Sequence, residues 1–145
     1  MSSEGSTLHS RRTLNLRFDI PQEKIRPFWD ALKEGRFVTT KCLDCGGMCF
    51  PPQADCPACM SSRHEWVDLG TDAELQTFTR VAMMPTSFSD HEPYTVGIGK
   101  LENGLKVLAW VESPAEKLRV GNRVTLEARK ASDGTPYYVF VPRKG

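Results

Sequence analysis

Two Cys-x-x-Cys pairs constrain this chain of 145 residues more tightly than anything else in it. Cys42 and Cys45 stand in Lys41-Cys-Leu-Asp-Cys-Gly46, and Cys56 and Cys59 in Asp55-Cys-Pro-Ala-Cys-Met60. Two thiolates three positions apart on a tight turn can grip one metal ion. Two such knuckles close a tetrahedral four-sulfur shell, the usual setting of structural zinc. A closed shell contributes folding free energy and has no open coordination position. The motif therefore predicts one structural zinc ion and the fold of a small piece, and names no reaction. Iron fits the same four sulfurs. It is the weaker reading, because an iron electron carrier needs little beyond the ribbon and leaves the second half of the chain unexplained.

Thiolates persist in a reducing compartment. The segment from Met1 to Ser10 contains no apolar run of the secretory kind, and no stretch approaches the roughly 20 apolar residues that span a bilayer. The expectation is a cytoplasmic protein with no membrane association. Its composition, 39% hydrophobic and 26% charged, is that of a globular chain, and a net charge of +1 gives no overall attraction to nucleic acid. Cys49, between the knuckles and out of step with both, reads as a small buried or half-buried thiol.

Three pieces follow one another. Residues 1–35 read as a flexible polar arm and then a helix, in which Ile25, Phe28, Trp29 and Leu32 form one apolar stripe at i, i+3, i+4 and i+7. Pro27 either starts the main helix or kinks it, and Gly35 supplies a stop. The stripe can pack on the protein's own body or dock on a partner subunit. Residues 36–70 form the metal module. A strand at 37–41 leads in, Gly46 and Gly47 permit the tight turn toward the metal, and Phe50-Pro-Pro52 makes a rigid return. A module of about 35 residues has too little core to stand without its metal. Residues 71–145 read as all-β. Strands are expected at 75–81, 94–99, 105–111, 124–129 and 137–141, with hairpin turns at Asn103-Gly104 and Asp133-Gly134. Five strands in about 70 residues suit a closed oligonucleotide/oligosaccharide-binding (OB) barrel, with an SH3-like barrel as the rival. The long loop at 83–93 would flank the ligand face of an OB barrel.

A helix carrying Phe-Trp, a four-cysteine ribbon and a five-stranded barrel, in that order, resemble the small bacterial and archaeal proteins grouped as the domain of unknown function 35 (DUF35) family. The resemblance is carried by Pro27-Phe-Trp-Asp-Ala-Leu32, Cys42-Leu-Asp-Cys-Gly46, Phe50-Pro-Pro52, Cys56-Pro-Ala-Cys59, Glu65-Trp66, Pro93-Tyr94 and Leu118-Arg-Val-Gly121. None of these is specific alone; their order is. The resemblance implies a mainly β chain with a rubredoxin-like zinc ribbon before an OB fold. It implies Cys42, Cys45, Cys56 and Cys59 as ligands of a structural zinc, with no residue carried over as catalytic. It also implies a place in acyl-CoA metabolism, since members accompany thiolase-like enzymes, acyl-CoA hydratases or aldolases, often as a small subunit. Met60 departs from the pattern, because such ribbons commonly have glycine after the last ligand, and Cys49 is a second departure.

The expected function is thus a non-catalytic, zinc-containing accessory subunit of an acyl-CoA enzyme, with the CoA thioester contacted here or held in the partner. CoA phosphates need cations, and Arg36, Lys41, Arg63 and Arg80 are the candidates near the junction of ribbon and barrel. The alternative is a nucleic-acid-binding zinc-ribbon/OB module that stacks bases on Tyr94, Trp110, Tyr137, Tyr138 and Phe140. Alternation sends several of these into the core, and no basic cluster interleaves them, which disfavours a phosphodiester ligand. For an enzyme in its own right, only His9, His64 and His91 supply imidazoles, the last in Asp90-His-Glu92. No nucleophile elbow, phosphate-cradling glycine loop or dinucleotide fingerprint accompanies them.

Overall fold

The structure, a computed structural model, describes residues 21–83 and 92–144. The expected polar arm, His9, His91 and most of the loop at 83–93 lie outside the described residues.

The chain enters through a short 3-10 turn, Glu23–Ile25, that runs directly into helix α1, Arg26–Lys33. Pro27 falls in the first turn of α1, where its missing N–H costs nothing, so it starts the helix and does not kink it. Gly35 ends it at φ +78°, while the N–H of Arg36 returns to the carbonyl of Ala31 at 2.9 Å. The stripe faces inward. Phe28 and Leu32 are each 1% exposed, and Trp29 packs partly buried against the same cluster. A helix of eight residues cannot persist alone in water, so this burial is what holds it.

Strands β1 (Val38–Cys42), β2 (Met48–Cys49) and β3 (His64–Asp68) form an antiparallel sheet in the order β2-β1-β3. Strand β1 joins two environments. Its first residue, Val38, and the preceding Phe37 are buried in the main core, while its last, Cys42, belongs to the thiol cluster.

The remaining strands are β4 (Asp72–Val81), β5 (Tyr94–Leu101), β6 (Lys106–Val111), β7 (Arg123–Lys130) and β8 (Pro136–Pro142). They close into a barrel in the order β4-β5-β6-β8-β7. The β6–β8 pair is parallel, and β4 pairs back onto β7 to remove the sheet edges. The register of β4 on β5 shifts between Leu75 and Thr77, a bulge of the kind that bends a strand around a small barrel. These five strands are the five read from the sequence, with a closed OB-like barrel as their arrangement.

The faces are assigned less obviously. In β5 the buried positions are Thr95, Gly97, Gly99 and Leu101, while Tyr94, Val96 and Ile98 point outward. The interior is too full to admit larger residues there. A Cβ on Gly99 would come within 2.6 Å of the Phe140 ring, and one on Gly97 within 2.8 Å of Leu75 Cδ1. Phe140, Leu75, Val107, Val124 and Leu126 fill the barrel and are at most 1% exposed. One core continues out of the barrel, through Tyr138 to Phe50 (5.3 Å between ring centroids) and from Phe50 to Phe28 on the helix (5.6 Å). Phe37 also meets Tyr138, with ring centroids 6.4 Å apart.

This packing settles the direction of the helix stripe and generates a test. Phe28→Ala should destabilise the isolated protein by about 3–5 kcal/mol, the usual loss for emptying an aromatic core site. Chemical denaturation of the purified chain measures it. An unchanged midpoint would mean that the stripe is not part of the core.

Candidate metal centre

The four predicted thiols come together. All four Sγ atoms lie within 4.8 Å of one another, with Cys42–Cys59 and Cys45–Cys56 each at 3.6 Å. The short contacts cross from one knuckle to the other. A tetrahedral ion with metal–sulfur bonds near 2.3 Å has sulfur–sulfur edges of about 3.8 Å. The donor set therefore fits a thiophilic ion of zinc or iron size. The environment is asymmetric, with Cys42 buried and Cys45 and Cys59 exposed.

The two knuckles are built on one plan. The N–H of Gly46 returns to the carbonyl of Cys42 at 3.0 Å, and the N–H of Met60 to that of Cys56 at 2.9 Å. The N–H of Cys42 then meets the carbonyl of Gly47, and that of Cys56 the carbonyl of Ser61, both at 2.8 Å. Each turn needs a left-handed residue at its fifth position. Gly46 supplies it at φ +70°; Met60 supplies it at φ 62° despite its side chain. The departure at Met60 keeps the turn and carries backbone strain instead.

A polar clamp that sequence reasoning missed joins the knuckles. The Asp44 carboxylate accepts hydrogen bonds from the Arg63 guanidinium and the Ser61 hydroxyl. The Arg63 guanidinium, and after it the Ser61 hydroxyl, hold the Asp44 carboxyl below the usual carboxylate range. The clamp is solvent-exposed and contributes little net stability. Its effect is positional, as it holds the loop of the first knuckle against the exit of the second. A one-dimensional reading cannot pair Asp44 with Arg63, because nothing local links them.

The thiols differ in acidity. Backbone N–H groups of Cys45 and Asp44 bring Cys42 down to about 7, and those of Cys59 and Ala58 lower Cys56. The N–H groups of Gly47 and Ser61 pull Cys45 and Cys59 the same way. Neighbouring thiols and burial outweigh them, and Cys59 is pushed up to about 12. Four sulfurs this close resist becoming four thiolates together, and a bound cation removes that resistance.

Among the described residues, no other sequence candidate joins the four-thiol cluster. Cys49 is a half-buried thiol on β2, outside the cluster, whose carbonyl accepts the Thr39 hydroxyl. His64 sits opposite Cys42 in the β1–β3 register and stacks edge-on against Trp66 at 5.9 Å. The four cations considered for CoA do not converge. Arg36 pairs with Glu34 and Asp68 at one end of β3, and Arg63 with Asp44 at the other. Lys41 is exposed on β1, and Arg80 lines a groove beside Trp110. Of the aromatic set, Phe140 is in the core and Tyr138 packs on the ribbon, while Tyr94, Trp110 and Tyr137 gather on the outer barrel face.

The strain at position 60 is measurable. Met60→Gly should raise knuckle stability by about 1 kcal/mol, and Met60→Val should lower it by a similar amount, since a branched side chain tolerates left-handed backbone poorly. The rate of metal loss to a chelator reports both. Equal rates in all three proteins would remove the left-handed turn from the argument.

Comparison with known proteins places this architecture. Residues 29–65 match the family model described as the ChsH2 rubredoxin-like zinc ribbon domain, and residues 66–129 match the ChsH2 C-terminal OB-fold domain. The chain is 28% identical over 124 residues to a DUF35 domain-containing scaffold protein of Methanothermobacter thermautotrophicus, covering 81% of this chain and 93% of that one. It is 27% identical over 107 residues to the benzoylsuccinyl-CoA thiolase subunit BbsA of Thauera aromatica, covering 72% and 73%. Its fold superposes on the solved Ltp2-ChsH2(DUF35) aldolase with a TM-score of 0.70 at 23% identity, covering 87% of this chain and 98% of that one. With a four-thiol ribbon in front of a closed five-stranded barrel and both consecutive family models matched, the chain belongs to the DUF35 family.

Proposed function

We propose that this chain is a non-catalytic, zinc-containing accessory subunit of a cytoplasmic acyl-CoA enzyme of the thiolase, hydratase or aldolase type. The observation that carries the reading is its similarity, over 72% of its length, to a protein named as a thiolase subunit. The fold shared with an aldolase assembly is consistent with it. In this reading Cys42, Cys45, Cys56 and Cys59 ligate one zinc ion, whose role when bound is to fix the two knuckles. All four tetrahedral positions are then taken by sulfur, which leaves none for a substrate. The five described cysteines are free thiols, as ligation in a reducing compartment requires. We place the CoA thioester on the partner enzyme. Arg36 and Arg63 are already engaged by carboxylates at opposite ends of β3, so they offer no joint phosphate site.

Two measurements test separate parts of this reading. The purified protein should hold one equivalent of zinc by elemental analysis. Cys42→Ser should lose at least tenfold in zinc affinity and loosen the ribbon, because removing one thiolate breaks the shell. Full zinc retention by that variant would disprove ligation by Cys42. Affinity isolation of the tagged chain from its source cells should recover an acyl-CoA enzyme in near-equal amount. Recovery of nucleic acid or ribonucleoprotein components, with no such enzyme, would move the assignment to a nucleic-acid reader.

A further inference from the structure

Small barrels usually place apolar residues inside and polar residues outside. Here the outer surface of three neighbouring strands is apolar. Tyr94, Val96 and Ile98 of β5 face outward, as do Leu108 and Trp110 of β6. The register sets Val96 beside Trp110 and Ile98 beside Leu108, so these side chains form a continuous sheet of contact and are not scattered. Tyr137 of β8 extends it past Trp110, with their rings 6.3 Å apart. Leu108 is 63% exposed, Trp110 37% and Tyr137 36%, while Tyr94, Val96 and Ile98 are half-buried. A contiguous exposed apolar face of this kind marks an interaction surface.

The shape of the face is defined. Trp110 and Tyr137 line two grooves, of about 470 and 780 Å³, and form the ridge between them. The Tyr94 ring lies 5.0 Å from Trp110 and braces it on one side. Amphipathic aromatics on a rigid sheet are the residue types that anchor protein interfaces.

Charge selects the occupant. Glu92 and Glu116 line the groove at the Trp110 end, beside Glu112, which is paired with Arg129; among the described residues, Arg80 is the one cation in its lining. The other groove has Asp133 and, among the described residues, no cation in its lining. A phosphodiester backbone would meet carboxylates there, so a single strand of nucleic acid does not fit. At the far end of the face, Lys100 and Lys106 stand opposite each other across β5 and β6. The face is therefore apolar in the middle, acidic at one end and basic at the other.

We propose that this outer face of β5, β6 and β8 is where the chain docks its acyl-CoA enzyme. It would take an enzyme surface that offers apolar side chains to Leu108 and Tyr137, with a lysine or arginine near Glu92 and Glu116. A cation there pairs with the carboxylates. The proposal rests on the accessory-subunit reading and deepens it by naming the docking face.

The test uses the full tagged chain with extract from its source cells, and the acyl-CoA enzyme recovered by the unaltered chain is the probe. Leu108→Glu should lower its capture at least about tenfold, as expected of a central interface anchor. Val120→Asp, at an equally exposed apolar residue in the turn before β7, should leave capture unchanged. Thermal midpoints close to that of the unaltered protein verify that both variants fold. A photo-crosslinking residue at 108, but not at 120, should bond covalently to the enzyme. That readout survives if Leu108→Glu proves unstable. Equal capture by Leu108→Glu, with no crosslink at 108, overturns the docking face and leaves the accessory reading standing. No acyl-CoA enzyme captured by the unaltered chain overturns both. A dimer of the isolated chain that Leu108→Glu converts to monomer assigns the face to a second copy, and binding of an oligothymidylate lost in Leu108→Glu assigns it to nucleic acid. Either result contradicts the proposal.

Discussion

Four sulfur atoms within 4.8 Å of one another are the constraint on which the ribbon depends. Local backbone N–H groups favour the thiolate at Cys42 and Cys56, while crowding opposes it at Cys45 and Cys59. A cation at the centre resolves the conflict, and the geometry around it follows. Each knuckle must turn left-handed at its fifth residue, Gly46 in one and Met60 in the other. The Asp44–Arg63 pair holds the two turns face to face. Strand β1 then carries that order from Cys42 to Val38, where the ribbon becomes part of the barrel's core.

The core is continuous across helix, ribbon and barrel, through the ring contacts of Phe28, Phe50, Tyr138 and Phe37. The helix thereby covers the molecule's own apolar surface and is not free to engage a partner through Phe28 or Leu32. In the proposed docking the partner uses another surface. On the barrel, Gly97, Gly99 and Ala109 point inward while Val96, Ile98, Leu108 and Trp110 point outward. Small residues inside make room for Phe140. Val96, Ile98, Leu108 and Trp110 take the exterior of the same strands.

Much of this was legible in the sequence because it is local. The thiol pairs, the helix stop at Gly35, the Asn103-Gly104 hairpin and the five strands each have short-range signatures, and the structure has all of them. What was not legible depends on contacts across the barrel. Alternation in β5 marks two faces but does not say which is inside, because that depends on Phe140, some forty residues later, filling the space above Gly99. The aromatics proposed as one stacking set were split for the same reason. Phe140 and Tyr138 went to the core and the ribbon, and Tyr94, Trp110 and Tyr137 to the surface. The helix stripe was correctly identified as apolar, but its destination required the position of Phe50.

The central claim is that this chain serves an acyl-CoA enzyme and performs no chemistry alone. It is tested most directly by the steady-state turnover of a CoA thioester by the co-isolated enzyme, by this chain, and by the two recombined after separation. The expected result is no turnover by the chain alone, impaired turnover by the enzyme alone, and recovery on recombination at equal stoichiometry. Turnover by the chain alone, or a full rate from the enzyme without it, would contradict the claim.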